Sequence, residues 1–137
     1  MSDVNPALAL AGVLLFLLGL LNGFAISIGR SPRLGLSAHL TAVQSGTFLI
    51  AMSLLWPHIG FPDGRGEATG FVLWVSLYAL WLALLFAGLL EAGRGLPIAG
   101  GEARTRPIYQ RAVSVLLITG MVGTTLATGA VAWQMVS

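Results

Sequence analysis

The stretch LSAHLTAVQSGTFLIAMSLLW, Leu36 to Trp56, decides the fold. It holds 21 residues without an Asp, Glu, Arg or Lys. As a helix rising about 1.5 Å per residue it covers about 30 Å, the thickness of a hydrocarbon core. Three more uncharged stretches of similar length lie on either side of it: Ala7 to Ile28, Gly70 to Leu90 and Ala112 to Trp133. Over the 137 residues 56% are hydrophobic and 9% charged, whereas an ordinary soluble domain carries roughly 25% charged residues. The sequence therefore predicts an all-α integral membrane four-helix bundle, with residues 1–137 forming a single transmembrane domain.

The charges fall between the spans. The seven arginines divide as Arg30 and Arg33 in the first connection, Arg65 in the second, and Arg94, Arg104, Arg106 and Arg111 in the third. Connections one and three share a side, so the positive-inside rule places them in the cytoplasm and both termini outside. The expected location is the cell inner membrane, crossed several times. The first span has no basic stretch before it and is longer than the roughly 7 to 15 apolar residues of a signal peptide, so it reads as retained. A net charge of +2 without a basic run gives no footing for nucleic acid. The absence of cysteine excludes disulfides, iron–sulfur clusters and thiolate zinc sites.

Between the spans, Ser31-Pro32 marks a tight hairpin joining helices one and two, and Pro57, Gly60, Pro62, Gly64 and Gly66 are expected to stop helix two and form a surface loop. The third connection, Glu91 to Arg111, is the longest and rich in Gly and Pro. Because lipid is as apolar as leucine, membrane helices associate through close backbone approach. Gly12, Gly19 and Gly23 on helix one, and Gly120, Gly123, Thr124, Thr125, Thr128 and Gly129 on helix four, are the expected packing faces.

Ionisable side chains inside a span are costly, and each is a functional candidate. His39 is the one that falls there, as the fourth residue of the predicted second helix, about 5 Å below its edge. Gly46 comes seven positions later on the same stripe, flanked by Ala42, Val43, Ile50 and Ser53. An imidazole above small residues suits an axial haem ligand, and it equally suits a histidine bonded to a neighbouring helix. His58 lies 19 residues on, about 28 Å along the axis, beside Trp56, and reads as an interfacial anchor. Within one chain, iron on His39 would therefore keep an open position, which suits substrate binding better than electron transfer. Asn22, Gln44, Ser45 and, deeper, Tyr78 are the other polar side chains that can face the same cavity. Arg30, Arg33 and Arg111 lie above His39, where a haem would present its propionates.

The run Ser31-Pro32-Arg33-Leu34-Gly35-Leu36-Ser37-Ala38-His39-Leu40, followed by Gly46, Phe48 and Leu54-Leu55-Trp56-Pro57, resembles the hydroxylaminobenzene mutase family. A more distant resemblance, through Ala38-His39, Gly46 and Pro57 with Gly60-Phe61, is to styrene oxide isomerase. That second resemblance implies a haem-containing homotrimer in which the matching histidine, here His39, is the axial ligand of haem b. It also implies that ferric iron acts as a Lewis acid on a substrate oxygen. Both families carry Asn six residues after the histidine, where this chain has Ser45. The isomerase's helix-three Tyr falls by counting near Leu84, so its role does not pass to Tyr78.

Together these features lead to an expected intramolecular isomerase. It would rearrange an apolar aromatic substrate, arylhydroxylamine to 2-aminophenol or aryl epoxide to aldehyde, on ferric haem b. His39 would hold the iron, Gly46 and Arg33 would accommodate the haem, and Asn22, Gln44 and Ser45 would orient the substrate. Two rival classes are a non-catalytic haem protein whose sixth ligand comes from another chain, and a small transporter. A proton-coupled transporter needs a carboxylate within a span, and every Asp and Glu lies outside the four spans.

Overall fold

Pro6 at the first helical position and Asn5 before it open helix α1, Pro6–Ala25. The Asn5 carboxamide oxygen accepts from the N–H groups of Ala7 and Leu8 at 3.1 and 3.2 Å, satisfying two donors that have no partner within the helix. Three more helices follow in this computed structural model: α2 Pro32–Ile59, α3 Arg65–Leu90 and α4 Pro107–Val136. The structure describes residues 4–26, 32–62, 64–91 and 106–137. All four helices are long and apolar enough to cross a membrane.

The observed bounds differ from the apolar runs in an informative way. Helices α2, α3 and α4 begin four or more residues before the predicted stretches, so Arg33, Arg65, Glu67 and Arg111 stand within helices. A helix of 28 residues spans about 42 Å, more than the core of a bilayer, and its ends carry charge into the headgroup zone. Ile26 caps α1 early, and residues 27 and 28 of the predicted span lie outside the described residues. Pro57 does not stop α2, which continues to Ile59. Proline lacks the N–H that would bond the carbonyl four residues earlier. That carbonyl, on Ser53, instead accepts the backbone N–H of Asn5 at 2.9 Å. The freed acceptor thus ties the start of α1 to the end of α2.

Helices α1 and α2 form an antiparallel hairpin with their backbones in contact. A Cβ at Gly46 would lie 2.6 Å from the Phe16 nitrogen and 2.8 Å from the Gly12 carbonyl oxygen. Gly19 packs on Ala42 and Val43 in the same way. Helix α4 is held to α3 by Gly120, whose Cβ would lie 2.8 Å from the Ser76 carbonyl oxygen, and by Gly123 against the Ser76 hydroxyl. The packing expected of Gly12, Gly19, Gly120 and Gly123 is observed, and Gly46, expected beside a haem, packs on the α1 backbone instead. Gly129 differs: nothing lies within 4 Å of its added Cβ. Thr125 bonds its own helix at the Met121 carbonyl.

Helix α3 packs on both α2 and α4, whereas α4 barely reaches α2 and does not meet α1. The bundle is open rather than closed. Its core gathers Leu8, Leu15, Ala38, Ala42, Leu49, Leu73, Leu77 and Trp81. Leu10, Leu17 and Leu21 on α1, and Val115, Ile118, Val122 and Leu126 on α4, are exposed, as lipid-facing side chains must be. The Tyr78 hydroxyl donates to the Ala11 carbonyl at 2.8 Å and fastens α3 to α1.

Candidate functional site

The α1–α2 seam places His39. Because α2 starts at Pro32, His39 is its eighth residue, about 10 Å along the axis from the first. It points at α1, where a Cβ on Gly23 would lie 2.9 Å from its Nδ1 and 3.0 Å from its Cε1. A ring fits there because Gly23 has no side chain. One turn deeper the Gly19 carbonyl oxygen lies 2.7 Å from Nδ1. A carbonyl only accepts, so Nδ1 carries the proton, and in the neutral ring the lone pair sits on Nε2. The ring is partly exposed. This bond to Gly19 is the one hydrogen bond its side chain makes among the described residues.

The other expected site residues are not gathered around that ring. Asn22 donates to the Gly35 carbonyl at 3.4 Å. It lines a cavity of about 100 Å³ with Gly35, Leu85 and Gly88, between α1, α2 and α3. Ser45 is buried, 7% exposed. Gln44 lies on the exposed outer face of α2, and its carboxamide makes no hydrogen bond among the described residues. The space above Gly46 is filled by the backbone of Phe16, so this glycine serves the hairpin. Arg33 is exposed in the first turn of α2, at the same end as the first and third connections. Arg111 is exposed on α4, and Arg30 lies outside the described residues. His58 is exposed in the last turn of α2, and the Tyr78 hydroxyl is occupied by Ala11.

Two features, one at the site and one in the core, escaped the sequence reading. The Gly19 carbonyl is backbone, and no residue type announces it. Trp81, 8% exposed, has an indole N–H without an acceptor. Its ring continues an edge-to-face ladder on α3, with centroids 5.5 Å apart for Phe71–Trp74, 5.8 Å for Trp74–Tyr78 and 6.4 Å for Tyr78–Trp81. A buried donor left unpaired costs about 1–3 kcal/mol. Trp81→Phe sheds that penalty while giving up some ring area, and the two nearly offset. Its melting temperature in detergent is expected within about 4 °C of the parent, a shift worth about 1 kcal/mol. A drop several times larger would mean that the indole N–H is paired.

Comparison with known proteins agrees with this architecture. The family model for styrene oxide isomerase matches residues 5–136. The chain is 41% identical to the hydroxylaminobenzene mutase HabA of Ectopseudomonas oleovorans over 110 residues, 80% of this chain and 82% of the relative. It is 49% identical to HabB of the same organism over 92 residues, 66% of this chain and 56% of that longer relative. Four apolar spans, an α1–α2 hairpin that seats His39, and a family match running almost from end to end lead to one assignment. The chain belongs to the styrene oxide isomerase family and is an intramolecular isomerase.

Proposed function

We propose that this protein rearranges an apolar aromatic substrate, arylhydroxylamine to 2-aminophenol, with aryl epoxide to aldehyde as the related reaction, using haem b held by His39. One observation carries the reading: the Gly19 carbonyl holds Nδ1 at 2.7 Å. Ligating histidines are almost always oriented this way, with the second ring nitrogen bonded to a carbonyl or carboxylate and the first left for the metal. The donor set suits haem better than a bare ion. No group of three or more His, Cys, Asp or Glu able to hold a metal occurs among the described residues, whereas a porphyrin supplies four ligands and asks the protein for one. The cavity beside Asn22, about 100 Å³, is far smaller than a porphyrin, so the partly exposed side of His39 is the face that would receive it. When bound, ferric haem supplies a Lewis acid that draws electron density from a substrate oxygen.

The chain's own residues do the remaining work. Gly19 fixes the tautomer and orientation of His39, and Gly23 gives the ring its space. Gly46 acts through the hairpin, bringing α1 close enough for that carbonyl to reach. Arg33 is the cation placed to neutralise propionates at the arginine-rich end. Apolar helix faces admit an aromatic substrate directly from the bilayer; Asn22, Gln44 and Ser45 lie on separate faces and do not converge on it. We place the assembly as a homo-oligomer, a trimer by the family resemblance; association is favoured by the exposed Gln44 carboxamide, which has no hydrogen bond among the described residues, since such groups commonly hydrogen-bond between membrane helices. By the arginine count, connections one and three face the cytoplasm of the inner membrane.

Substrate and product contain the same atoms, so the purified protein should convert hydroxylaminobenzene to 2-aminophenol without added reductant, oxidant or nicotinamide. Product analysis by chromatography checks this, and turnover that required an electron donor would refute it. Gly23→Ala is expected to displace the His39 ring and weaken haem retention by about 10–100-fold, the range seen when the outer hydrogen bond of a ligating histidine is lost. Haem titration of the variant measures it.

A further inference from the structure

Two hollows lie at the end of the bundle opposite the arginine-rich connections. One, of about 380 Å³, opens between the starts of α1 and α3 and is lined by Asn5, Glu67, Phe71 and Trp74. The other, of about 410 Å³, lies beside the turn after α2 and is lined by Asn5, Trp56, Phe61 and Glu67. They adjoin at Asn5, Gly66 and Glu67, which line both. Each falls in the size range of small-molecule sites, roughly 300–1,000 Å³.

The walls are aromatic. Trp56 and Phe61 stack with centroids 5.3 Å apart at 34°, and Phe71 meets Trp74 edge-on at 5.5 Å. Two glycines on α3 make room for the first pair: a Cβ at Gly66 would lie 3.1 Å from the Phe61 Cβ, and one at Gly70 would lie 3.2 Å from the Trp56 ring. Two polar groups converge between the rings. Glu67 is exposed, and its carboxylate has no hydrogen-bond or ion-pair partner among the described residues. Asn5 spends its carboxamide oxygen on the α1 cap, which leaves its NH₂ group as a donor. The first hollow has the apolar walls with a few convergent polar groups usual in a ligand site, while the second is more polar than apolar.

We propose that this outer slot binds a small aromatic molecule carrying N–H and O–H donors. Such a ring packs edge-on or offset against Trp74 and Trp56, its donors reach the Glu67 carboxylate, and an oxygen of the ligand accepts from Asn5. Arylhydroxylamines and aminophenols have this chemistry. Their identification as the natural occupants rests on the reaction proposed above, while the slot itself does not depend on it. Trp56 and His39 are 17 residues apart on α2, about 25 Å along the axis, so the slot is distinct from the haem face. It would collect substrate, or hold product, at the membrane surface.

Calorimetric titration of the full chain in maltoside detergent with 2-aminophenol, kept reduced under nitrogen, tests the proposal. Saturable binding is expected in the parent protein and, within about twofold, in His39→Ala. Glu67→Gln should weaken binding about tenfold, the difference between a charged and a neutral acceptor, and Trp74→Leu should weaken it further. Toluene, which has the ring without the donors, should bind more weakly than 2-aminophenol. Binding that is lost in His39→Ala but intact in Glu67→Gln would overturn the proposal, as would equal affinity for toluene. Glu67-dependent binding by a protein that rearranges no hydroxylamine would uphold the slot and sink the reaction instead.

Discussion

His39→Ala is expected to lower the rearrangement rate by more than about a hundredfold while leaving the four helices in place. The size of the effect follows from what is removed. Losing an outer hydrogen bond to a metal-bound histidine typically costs 10–100-fold, and losing the ligating nitrogen itself costs more. The fold tolerates the change because the ring is partly exposed and makes one hydrogen bond, to a carbonyl at about 1 kcal/mol net. Ala38 and Ala42, the fully buried neighbours on its helix, keep the α2 core intact. Steady-state turnover alongside far-ultraviolet circular dichroism separates the two effects. A variant with parental turnover would remove His39 from the mechanism.

Gly46→Leu should destabilise the protein by about 3 kcal/mol or more, at or beyond the upper end for overpacking in a tight core. The atoms its side chain would meet are backbone: the Phe16 nitrogen 2.6 Å and the Gly12 carbonyl oxygen 2.8 Å from the Cβ position. A flexible side chain could rotate aside, but a helix backbone cannot, so the α1–α2 hairpin has to open. Opening it draws the Gly19 carbonyl away from His39, and activity should fall together with the melting temperature. Gly129→Leu is the control. With nothing within 4 Å of its Cβ, it should change stability by no more than about 0.5 kcal/mol, as surface substitutions do. Thermal unfolding in detergent checks both substitutions.

The architecture was legible because lipid imposes simple rules on sequence. Four uncharged stretches long enough to span could only be helices; Gly12, Gly19 and Gly120 announced close backbone contacts that are observed, and Gly23 and Gly123 make room for the side chains of His39 and Ser76. Helix ends were harder to read. Charge marks where the apolar core stops, not where hydrogen bonding stops, so Arg65 and Glu67 belong to α3 although they lie outside its apolar stretch. Pro57 looked like a terminator because local rules could not foresee Asn5, 52 positions away, bonding the Ser53 carbonyl that proline leaves free.

For the site, the histidine was legible and its surroundings only partly so. An antiparallel hairpin pairs residues equidistant from its turn, which matches Gly23 with His39, Gly19 with Val43 and Gly12 with Ile50, as the structure has them. That register was open to reading once the hairpin was recognised. Which backbone carbonyl would meet the ring was not, because every residue carries one. Gln44 and Ser45 are adjacent in sequence yet end on the outer face and in the core respectively. A helix turns about 100° per residue, so neighbours in sequence seldom share a cavity.

The central claim is that His39, oriented through Nδ1 by Gly19, gives its Nε2 to haem iron. The most direct measurement is the visible spectrum of the unmodified chain, purified in detergent from haem-replete cells, with iron and protein quantified on the same sample. The account predicts a Soret band with close to one haem per chain, which disappears in His39→Ala. A colourless, iron-free preparation that rearranges hydroxylaminobenzene at full rate would contradict it.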